Sequence, residues 1–289
     1  MEAKAVVVTG SSTGIGASTA EFLIAKGFRV FGGVRRKGDG ARLQSRLGNA
    51  FTPLVMDVTD GEAISAGARD VTRALAGASL AGLVNNAGIA IGGPLSHLPL
   101  DAFRQQFEVN FFGAVAVTQA FLPLLGCGDT ATGKPGRIVP GRIVNVSSVS
   151  GKRAMPFMAP YSASKHALEA VSESLRRELM LFGIEVIIVA PGAVATAIWN
   201  KAGDSDFSPY RETAYAPALT RLMAYLMDVG PKGDPPERVA RVIHKALTVA
   251  KPKARYAPVQ GKFINWTLPN LLPTRFVDCK IGRALGLID

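Results

Sequence analysis

The feature that most constrains the fold is a glycine-rich segment, Thr9–Gly16, which lies between a short buried strand and a helix. The run Ala5–Thr9 is continuous, apolar and β-branched, which predicts a strand, and the apolar spacing from Ile15 to Lys26 predicts a helix that Gly27 ends. Glycines at such a junction permit a tight turn and let backbone N–H groups approach a phosphate. The segment therefore predicts the first unit of an α/β fold with a phosphate-binding loop.

The same alternation of strand and helix continues along the chain. Further buried strands are predicted at Arg29–Val34, Phe51–Met56, Leu80–Asn85, Arg142–Ser147, Ile184–Ala190 and Lys253–Ala257. Helices are predicted at Gly61–Leu75, Asp101–Leu125, Ser162–Phe182, Pro217–Met227 and Glu237–Ala250. Strands that are apolar throughout are typical of parallel sheets covered on both sides. We therefore predict an α/β fold, a doubly wound parallel sheet with helices on both faces, forming a single domain over residues 1–289.

Three segments depart from this rhythm. Gly126–Gly141 is rich in glycine, proline and charge, and predicts a surface loop. Residues 197–236 are predicted to be a variable substrate-binding segment. The C-terminal tail, residues 258–289, mixes apolar and basic side chains. For this tail three placements stay open, namely a cap on the substrate pocket, a subunit interface, or peripheral contact with a membrane surface, and packing is favoured.

The formal charge of +11 raises the question of an anionic partner. The basic residues are dispersed, and no basic stripe interleaved with aromatic residues is present. This pattern favours a solvated basic surface with a pocket for a polyphosphate cofactor, and we expect no nucleic-acid partner.

The cysteines, the histidines and the length of the apolar runs indicate the cellular compartment and bear on whether a metal is bound. Cys127 and Cys279 are far apart, and the three histidines are scattered, so neither a disulfide framework nor a metal site is expected. No signal peptide is recognised, and the longest apolar runs are expected to fall well short of a transmembrane segment. Together these features predict a cytoplasmic protein without a metal.

Tyr161 and Lys165 are the candidate acid/base pair. They are four residues apart on a predicted helix and therefore share one face. A free tyrosine has a pKa of about 10, which is too high for a base at neutral pH. A neighbouring lysine cation, together with the positive charge of a bound oxidised cofactor, is expected to lower the pKa of Tyr161. Such spacing alone is common, and the pair gains weight because Ser148 precedes it by one strand–helix step.

Six motifs in a fixed order extend from Ala5 to Thr196. They are the G-x-x-x-G-x-G spacing of Gly10–Gly16, then Asn85–Gly88, Asn110, Asn145–Ser148, Tyr161–Lys165 and Pro191–Gly192. In these motifs the chain resembles the short-chain dehydrogenase/reductase family. Its mostly apolar substrate-pocket segment resembles that of the hydroxysteroid and retinol dehydrogenase branch. The resemblance implies a Rossmann fold, a nicotinamide-dependent oxidoreductase, and a homodimer or homotetramer.

The resemblance also implies four catalytic residues: Ser148, Tyr161, Lys165 and Asn110. Ser148 would hydrogen-bond the substrate oxygen, and Lys165 would also bind the nicotinamide ribose. Asn110 would anchor a water in the proton relay; the alternative for Asn110 is a structural amide in a helix. Ser147 is the rival of Ser148, and strand alternation together with the family spacing favours Ser148.

A further set of residues is implied for the cofactor. They are Gly10, Ser12, Thr13, Gly14, Ile15, Gly16, Arg35, Arg36, Asp57, Val58, Asn86, Ala87, Gly88, Tyr161, Lys165, Pro191, Gly192, Val194 and Thr196. Arg35 and Arg36 follow the second strand, where an acidic residue would select NAD, and the first acid is Asp39. Guanidinium groups suit a 2′-phosphate, so NADP(H) is favoured, while NAD stays open.

The expected reaction is hydride transfer between the nicotinamide and a hydrophobic carbonyl or alcohol, such as a steroid, retinoid or other lipid-like molecule. Candidate pocket residues are Phe157, Met158, Trp199, Phe207, Tyr210, Leu222 and Met223. Three alternatives stay open. They are an NAD(H)-using dehydrogenase of a small hydroxy compound, a sugar-nucleotide epimerase or dehydratase, and a non-catalytic dinucleotide sensor.

Overall fold

A seven-stranded parallel sheet forms the centre of the computed structural model, which describes residues 3–127, 139–196 and 208–289. Its strands are β1 Ala5–Val8, β2 Arg29–Val34, β3 Phe51–Val55, β4 Leu80–Asn85, β5 Arg142–Val146, β6 Glu185–Val189 and β7 Arg255–Tyr256. They lie in the order β3-β2-β1-β4-β5-β6-β7, and all pairs are parallel. The strand order reverses between β1 and β4, and α/β sheets bind ligands at the carboxyl ends of the strands beside such a reversal. The predicted doubly wound parallel sheet is confirmed.

Helices cover both faces of the sheet. They are α1 Gly14–Ala25, α2 Lys37–Leu47, α3 Gly61–Leu75, α4 Leu100–Phe107, α5 Gly113–Phe121, α6 Ala159–Glu178, α7 Ala216–Val229, α8 Pro236–Thr248, α9 Leu268–Leu271 and α10 Thr274–Leu285. Val7 of β1 packs with α3, α5 and the end of α6, whereas Val6 and Val8 pack with α1 and α8. Because neighbouring residues of one strand enter two separate cores, the strand must be apolar at every position.

Helix α2 was not predicted. Its sequence is polar and contains two glycines, and Gly40 and Leu43 are its buried residues. A Cβ on Gly40 would lie 2.8 Å from the Cβ of Pro53 in β3, so this small residue lets the helix pack close to the edge of the sheet. This helix is stabilised by its packing against the sheet, and a local pattern of apolar residues does not reveal such packing.

The stretch Leu100–Leu125 is helical throughout but changes geometry in its middle. A π-helical turn, Glu108–Phe112, separates α4 from α5, and a 3-10 turn ends the stretch. By length and composition it is long and apolar enough to cross a membrane, so the prediction that every apolar run falls well short is wrong. Val117 and Phe121 are fully buried in the core of this fold, which accounts for part of that apolarity.

A buried chain of polar side chains joins the sheet to the helices behind the site. Asn85 Nδ2 donates to Thr118 Oγ1 and to Asn145 Oδ1, both at 2.8 Å. Asn145 Nδ2 donates in turn to Ser172 Oγ at 2.8 Å. These bonds hold the carboxyl ends of β4 and β5 against α5 and α6, which fixes the platform on which the site is built.

The tail contains a π-helical turn, Phe263–Thr267, followed by α9 and α10. It contributes wall to the large cavity, which corresponds to one of the three placements left open for the tail. Much of the predicted loop Gly126–Gly141, and the candidate pocket residues Trp199 and Phe207, lie outside the described residues.

Candidate active site

The loop between β1 and α1 forms a backbone cradle at the reversal of the sheet. Gly10 and Gly14 have φ angles of +65° and +58°, a left-handed conformation that favours glycine. A Cβ on Gly16 would lie 2.1 Å from the carbonyl oxygen of Gly10, so a larger residue would displace the backbone. Thr13 caps α1 without a side-chain hydrogen bond, which leaves the first N–H groups of that helix available to an anion. A pyrophosphate fits this cradle in charge and shape.

Asn86 and Thr9 fasten the cradle to the loop after β4. Asn86 Nδ2 donates to the carbonyl oxygens of Thr9 and Gly10 at 2.9 and 3.2 Å. The Thr9 hydroxyl accepts hydrogen bonds from the backbone N–H groups of Asn86 and Ala87, both at 3.0 Å. The two loops that end the central strands are thereby held as one unit.

A cavity of about 1570 Å³ opens at this edge of the sheet. The predicted cofactor residues that line it are Gly10, Ser12, Thr13, Gly14, Ile15, Arg35, Asp57, Val58, Asn86, Ala87, Gly88, Tyr161, Lys165, Pro191, Gly192, Val194 and Thr196. Two predicted residues do not line it. Gly16 contacts the Gly10 carbonyl within the loop, and Arg36 is exposed at the start of α2. Of the two arginines, Arg35 is therefore the one placed to meet a ligand.

Ser148, Tyr161 and Lys165 line the same cavity. Ser148 follows β5, accepts a hydrogen bond from the backbone N–H of Ser150 at 3.1 Å, and hydrogen-bonds the side chain of Tyr161. Lys165 Nζ lies 5.9 Å from the centre of the Tyr161 ring and donates to the carbonyl oxygen of Val146 at 2.9 Å. The structure thus brings three of the four predicted catalytic side chains together around one space.

Burial dominates the pKa of both residues of the acid/base pair. Desolvation raises the pKa of Tyr161 above its usual value, and the hydrogen bond with Ser148 offsets part of that rise. Desolvation also lowers the pKa of Lys165 to about 8, against the carboxylate of Glu169, which raises it. In the protein without its cofactor the buried phenolate therefore loses more hydration than its neighbours replace, and the lowered tyrosine pKa expected with a lysine and an oxidised nicotinamide beside it stays a prediction.

Asn110 lies in the π-helical turn and is buried behind the cavity. Its Oδ1 accepts from the backbone N–H of Ile89 at 2.8 Å, and its Nδ2 donates to the Ile89 carbonyl at 3.0 Å and to Ser164 Oγ at 3.3 Å. These bonds tie the loop after β4 to α6. The structure supports the structural reading of this amide, and its role in a proton relay stays a prediction.

Glu169 belongs to the site and was not predicted. It is 2% exposed, one turn beyond Lys165 on α6. Ser147 Oγ donates to its Oε1 at 2.8 Å, Arg255 pairs with its Oε2, and Lys152 lies 3.6 Å from the same oxygen. The sequence spacing could have indicated Glu169, because steps of four residues from Tyr161 to Lys165 and on to Glu169 place an acid on the same face of the helix. The bond from Ser147 also explains why Ser148 is the serine that faces the acid/base pair.

The remaining wall of the cavity is largely apolar. Of the predicted pocket residues, Phe157, Met158, Leu222 and Met223 line it, and Tyr210 instead packs in a buried cluster with Phe157 and Leu222. The tail and α7 add wall residues beyond the seven named candidates, among them Leu226, Trp266, Val277 and Ile281. The space beside the acid/base pair therefore suits an apolar molecule.

A doubly wound sheet with a phosphate cradle at its reversal, and a tyrosine–lysine pair across the same cavity, defines a dinucleotide-dependent α/β enzyme. The sequence profile of the short chain dehydrogenase family matches residues 4–206. The chain belongs to that family and is an NAD(P)-dependent oxidoreductase.

Individual relatives are similar over nearly the whole chain. The NADPH-dependent 3-dehydrocapnine reductase of Ornithobacterium rhinotracheale is 39% identical over 272 residues, which cover 94% of this chain and 94% of that protein. Retinol dehydrogenase 5 of Homo sapiens is 33% identical, covering 97% of this chain and 88% of that protein. A short-chain dehydrogenase structure from Streptomyces avermitilis superposes with a TM-score of 0.74 at 29% identity, covering 100% of this chain and 99% of that one.

Proposed function

We propose that the protein reversibly reduces a hydrophobic ketone or aldehyde to the alcohol with NADPH. The observation that carries the proposal is the shared cavity, in which the phosphate cradle, Ser148, Tyr161 and Lys165 meet an apolar wall. The similarity to proteins named as an NADPH-dependent reductase and as a retinol dehydrogenase supports the same reaction class.

NADP(H) is favoured by the residue at the end of β2. Arg35 lines the cavity directly after this strand, at the position where an acid would bind the 2′-hydroxyl of NAD. Arg35 is exposed and enters no ion pair among the described residues, so its guanidinium is available to a 2′-phosphate.

The proposed chemistry divides between the cofactor and the protein. The nicotinamide, when bound, supplies or accepts a hydride at its C4 position. During reduction the Tyr161 hydroxyl gives its proton to the substrate oxygen, and during oxidation the phenolate takes that proton back. The Ser148 hydroxyl donates a hydrogen bond to the same oxygen and stabilises the charge that develops on it. Lys165 stabilises the tyrosinate through its positive charge, and the bond to Val146 keeps that charge near the ring.

The proposal is tested by following NADPH oxidation with a panel of steroid, retinoid, long-chain and short-chain carbonyl compounds. We expect kcat/KM to rise with the apolar surface of the substrate, because the wall residues Phe157, Met158, Leu222 and Met223 would desolvate it. Short polar ketones serve as the matched comparison. Turnover of polar substrates alone would contradict the proposed substrate class.

The cofactor assignment predicts a change of preference in the double variant Arg35→Asp/Arg36→Ala. Removing the guanidinium from the cavity should weaken NADPH binding about ten- to a hundredfold, while NADH binding stays similar. The Kd of each cofactor, measured by fluorescence titration, checks this result. Arg42→Ala is the matched control, because Arg42 lies on α2 and pairs with Asp39 outside the cavity wall. Equal weakening of both cofactors by the double variant would contradict the assignment.

We propose a homodimer or homotetramer in the cytoplasm. The helical stretch Leu100–Leu125 supports self-association, because Leu100 and Phe112 are exposed to 61% and 51% on a long apolar helix. The unpaired cysteines Cys127 and Cys279 agree with a reducing compartment. Sedimentation equilibrium tests the oligomeric state, and a monomer at micromolar concentration would contradict the proposal. Cell fractionation tests the cytoplasmic location.

A further inference from the structure

The C-terminal helices combine an inner surface that lines the cavity with an outer surface that is apolar. Trp266, Val277 and Ile281 line the cavity. On the same helical segments Phe263, Ile264, Leu271 and Phe276 are exposed to 68%, 67%, 75% and 48%. Four large apolar side chains exposed within fourteen residues exceed the scattered apolar residues of an ordinary surface. We name Phe263, Ile264, Leu271 and Phe276 the outer apolar patch.

Basic residues frame the outer apolar patch. Between Lys262 and Lys280 the chain carries Lys262, Arg275 and Lys280 and a single acid, Asp278, which lines the cavity. The Nζ of Lys280 lies 5.7 Å from the centre of the exposed Phe276 ring. An apolar side chain beside a long cation is the pairing that membrane interfaces favour, since the ring enters the acyl boundary while the ammonium stays at the headgroups.

We propose that the outer apolar patch docks on an anionic lipid membrane. A second copy of the chain is the weaker occupant, because a two-fold contact would set the same cations against each other in a protein of net charge +11. An anionic bilayer instead supplies opposite charge and apolar depth together. Docking there would place the cavity-lining side of the same helices next to the bilayer, so that an apolar substrate passes from lipid to cavity. This last step rests on the proposed function, whereas docking itself does not.

Vesicle cosedimentation of the full chain with NADPH tests the proposal. We expect binding to phosphatidylglycerol–phosphatidylcholine vesicles that is at least about tenfold tighter than binding to pure phosphatidylcholine, and that added salt weakens. The variant Ile264→Ser/Leu271→Ser should bind the anionic vesicles about tenfold or more weakly. The matched control is Leu95→Ser/Leu181→Ser, which removes two side chains exposed to 61% and 62% elsewhere, and it should bind as the unchanged protein does.

Three results would overturn the proposal. They are no binding to anionic vesicles at low salt, an equal loss in the control variant, or a change of oligomeric state in Ile264→Ser/Leu271→Ser without a loss of vesicle binding. Sedimentation velocity measures the last of these. Neither Ile264 nor Leu271 lines the cavity, so reduction of a short water-soluble ketone should be unchanged in this variant. A protein that binds vesicles but reduces none of the carbonyl compounds would instead contradict the proposed function alone.

Discussion

Tyr161→Phe should lower kcat by about 10²- to 10⁴-fold and leave the Kd for NADPH nearly unchanged. The phenol oxygen is the group placed to exchange a proton with the substrate, and it is also the partner of Ser148. The ring itself stays in place, so the apolar contacts and the cofactor cradle are preserved. Single-turnover absorbance of NADPH gives the rate, and fluorescence titration gives the binding constant.

Tyr225→Phe is the matched control, since Tyr225 also lines the cavity and loses one hydroxyl in the same way. We expect kcat in this variant to stay close to that of the unchanged protein. Substantial turnover by Tyr161→Phe, or an equal loss in both variants, would contradict the assigned proton donor.

The direction of the Tyr161 pKa shift adds a test in the unchanged protein. Because burial raises this pKa, the tyrosine is protonated throughout the neutral range and is ready to donate in reduction. Reductive kcat/KM should therefore stay level from about pH 6 to pH 8, whereas oxidation, which needs the phenolate, should rise with pH. A decline in reduction across this range that is absent from Tyr161→Phe would contradict a protonated donor.

The fold followed from the sequence because its main signals are local and repeated. Each central strand is apolar at successive positions, and Val6, Val7 and Val8 show why, since they enter two different cores. The helices that were not predicted are α2, α9 and α10. Of these, α2 has a polar sequence with little periodicity, and its position depends on the contact between Gly40 and Pro53. A contact between distant segments leaves no trace in a local pattern.

In the candidate site, too, the features set by local sequence could be predicted, and those set by the folded environment could not. The glycine loop and the spacing from Tyr161 to Lys165 could be read directly, because both are short-range motifs. The direction of the Tyr161 pKa shift could not, since it depends on how much hydration the folded environment removes. The sequence could name a pocket wall only as one of three placements for the tail, because the contact joins Trp266 and Ile281 to an acid/base pair more than one hundred residues away.

Glu169 contributes both to the stability of the fold and to the electrostatics of the acid/base pair. Its carboxylate is the partner of Ser147 and Arg255, and its charge raises the pKa of Lys165 against desolvation. Arg255 Nε and Nη2 are buried without a hydrogen-bond partner among the described residues, so this arginine depends on Glu169 for compensation. Removing the carboxylate would leave the buried Lys165 and the partly buried Arg255 with less opposing charge.

The variant Glu169→Leu should therefore lower the free energy of unfolding by about 3–5 kcal/mol, and Glu169→Gln should lower it by less, because an amide oxygen still accepts from Ser147. Urea unfolding with Glu173→Gln as control measures this. Glu173 is one turn further along α6 and makes a half-exposed pair with Arg177 at 3.8 Å, so its loss should cost less than about 1 kcal/mol.

The variant Glu169→Gln should also change how the free energy of unfolding depends on pH. With the folded pKa of Lys165 at about 8, below its usual 10.5, the unfolded chain binds more protons between these values. The contribution of Lys165 to stability therefore rises with pH through this window, and the penalty is complete below it. In Glu169→Gln the pKa of Lys165 falls further, so the rise should begin at a lower pH than in Glu173→Gln. Equal unfolding free energies and equal pH profiles for Glu169→Gln and Glu173→Gln would contradict the electrostatic interaction between Glu169 and Lys165.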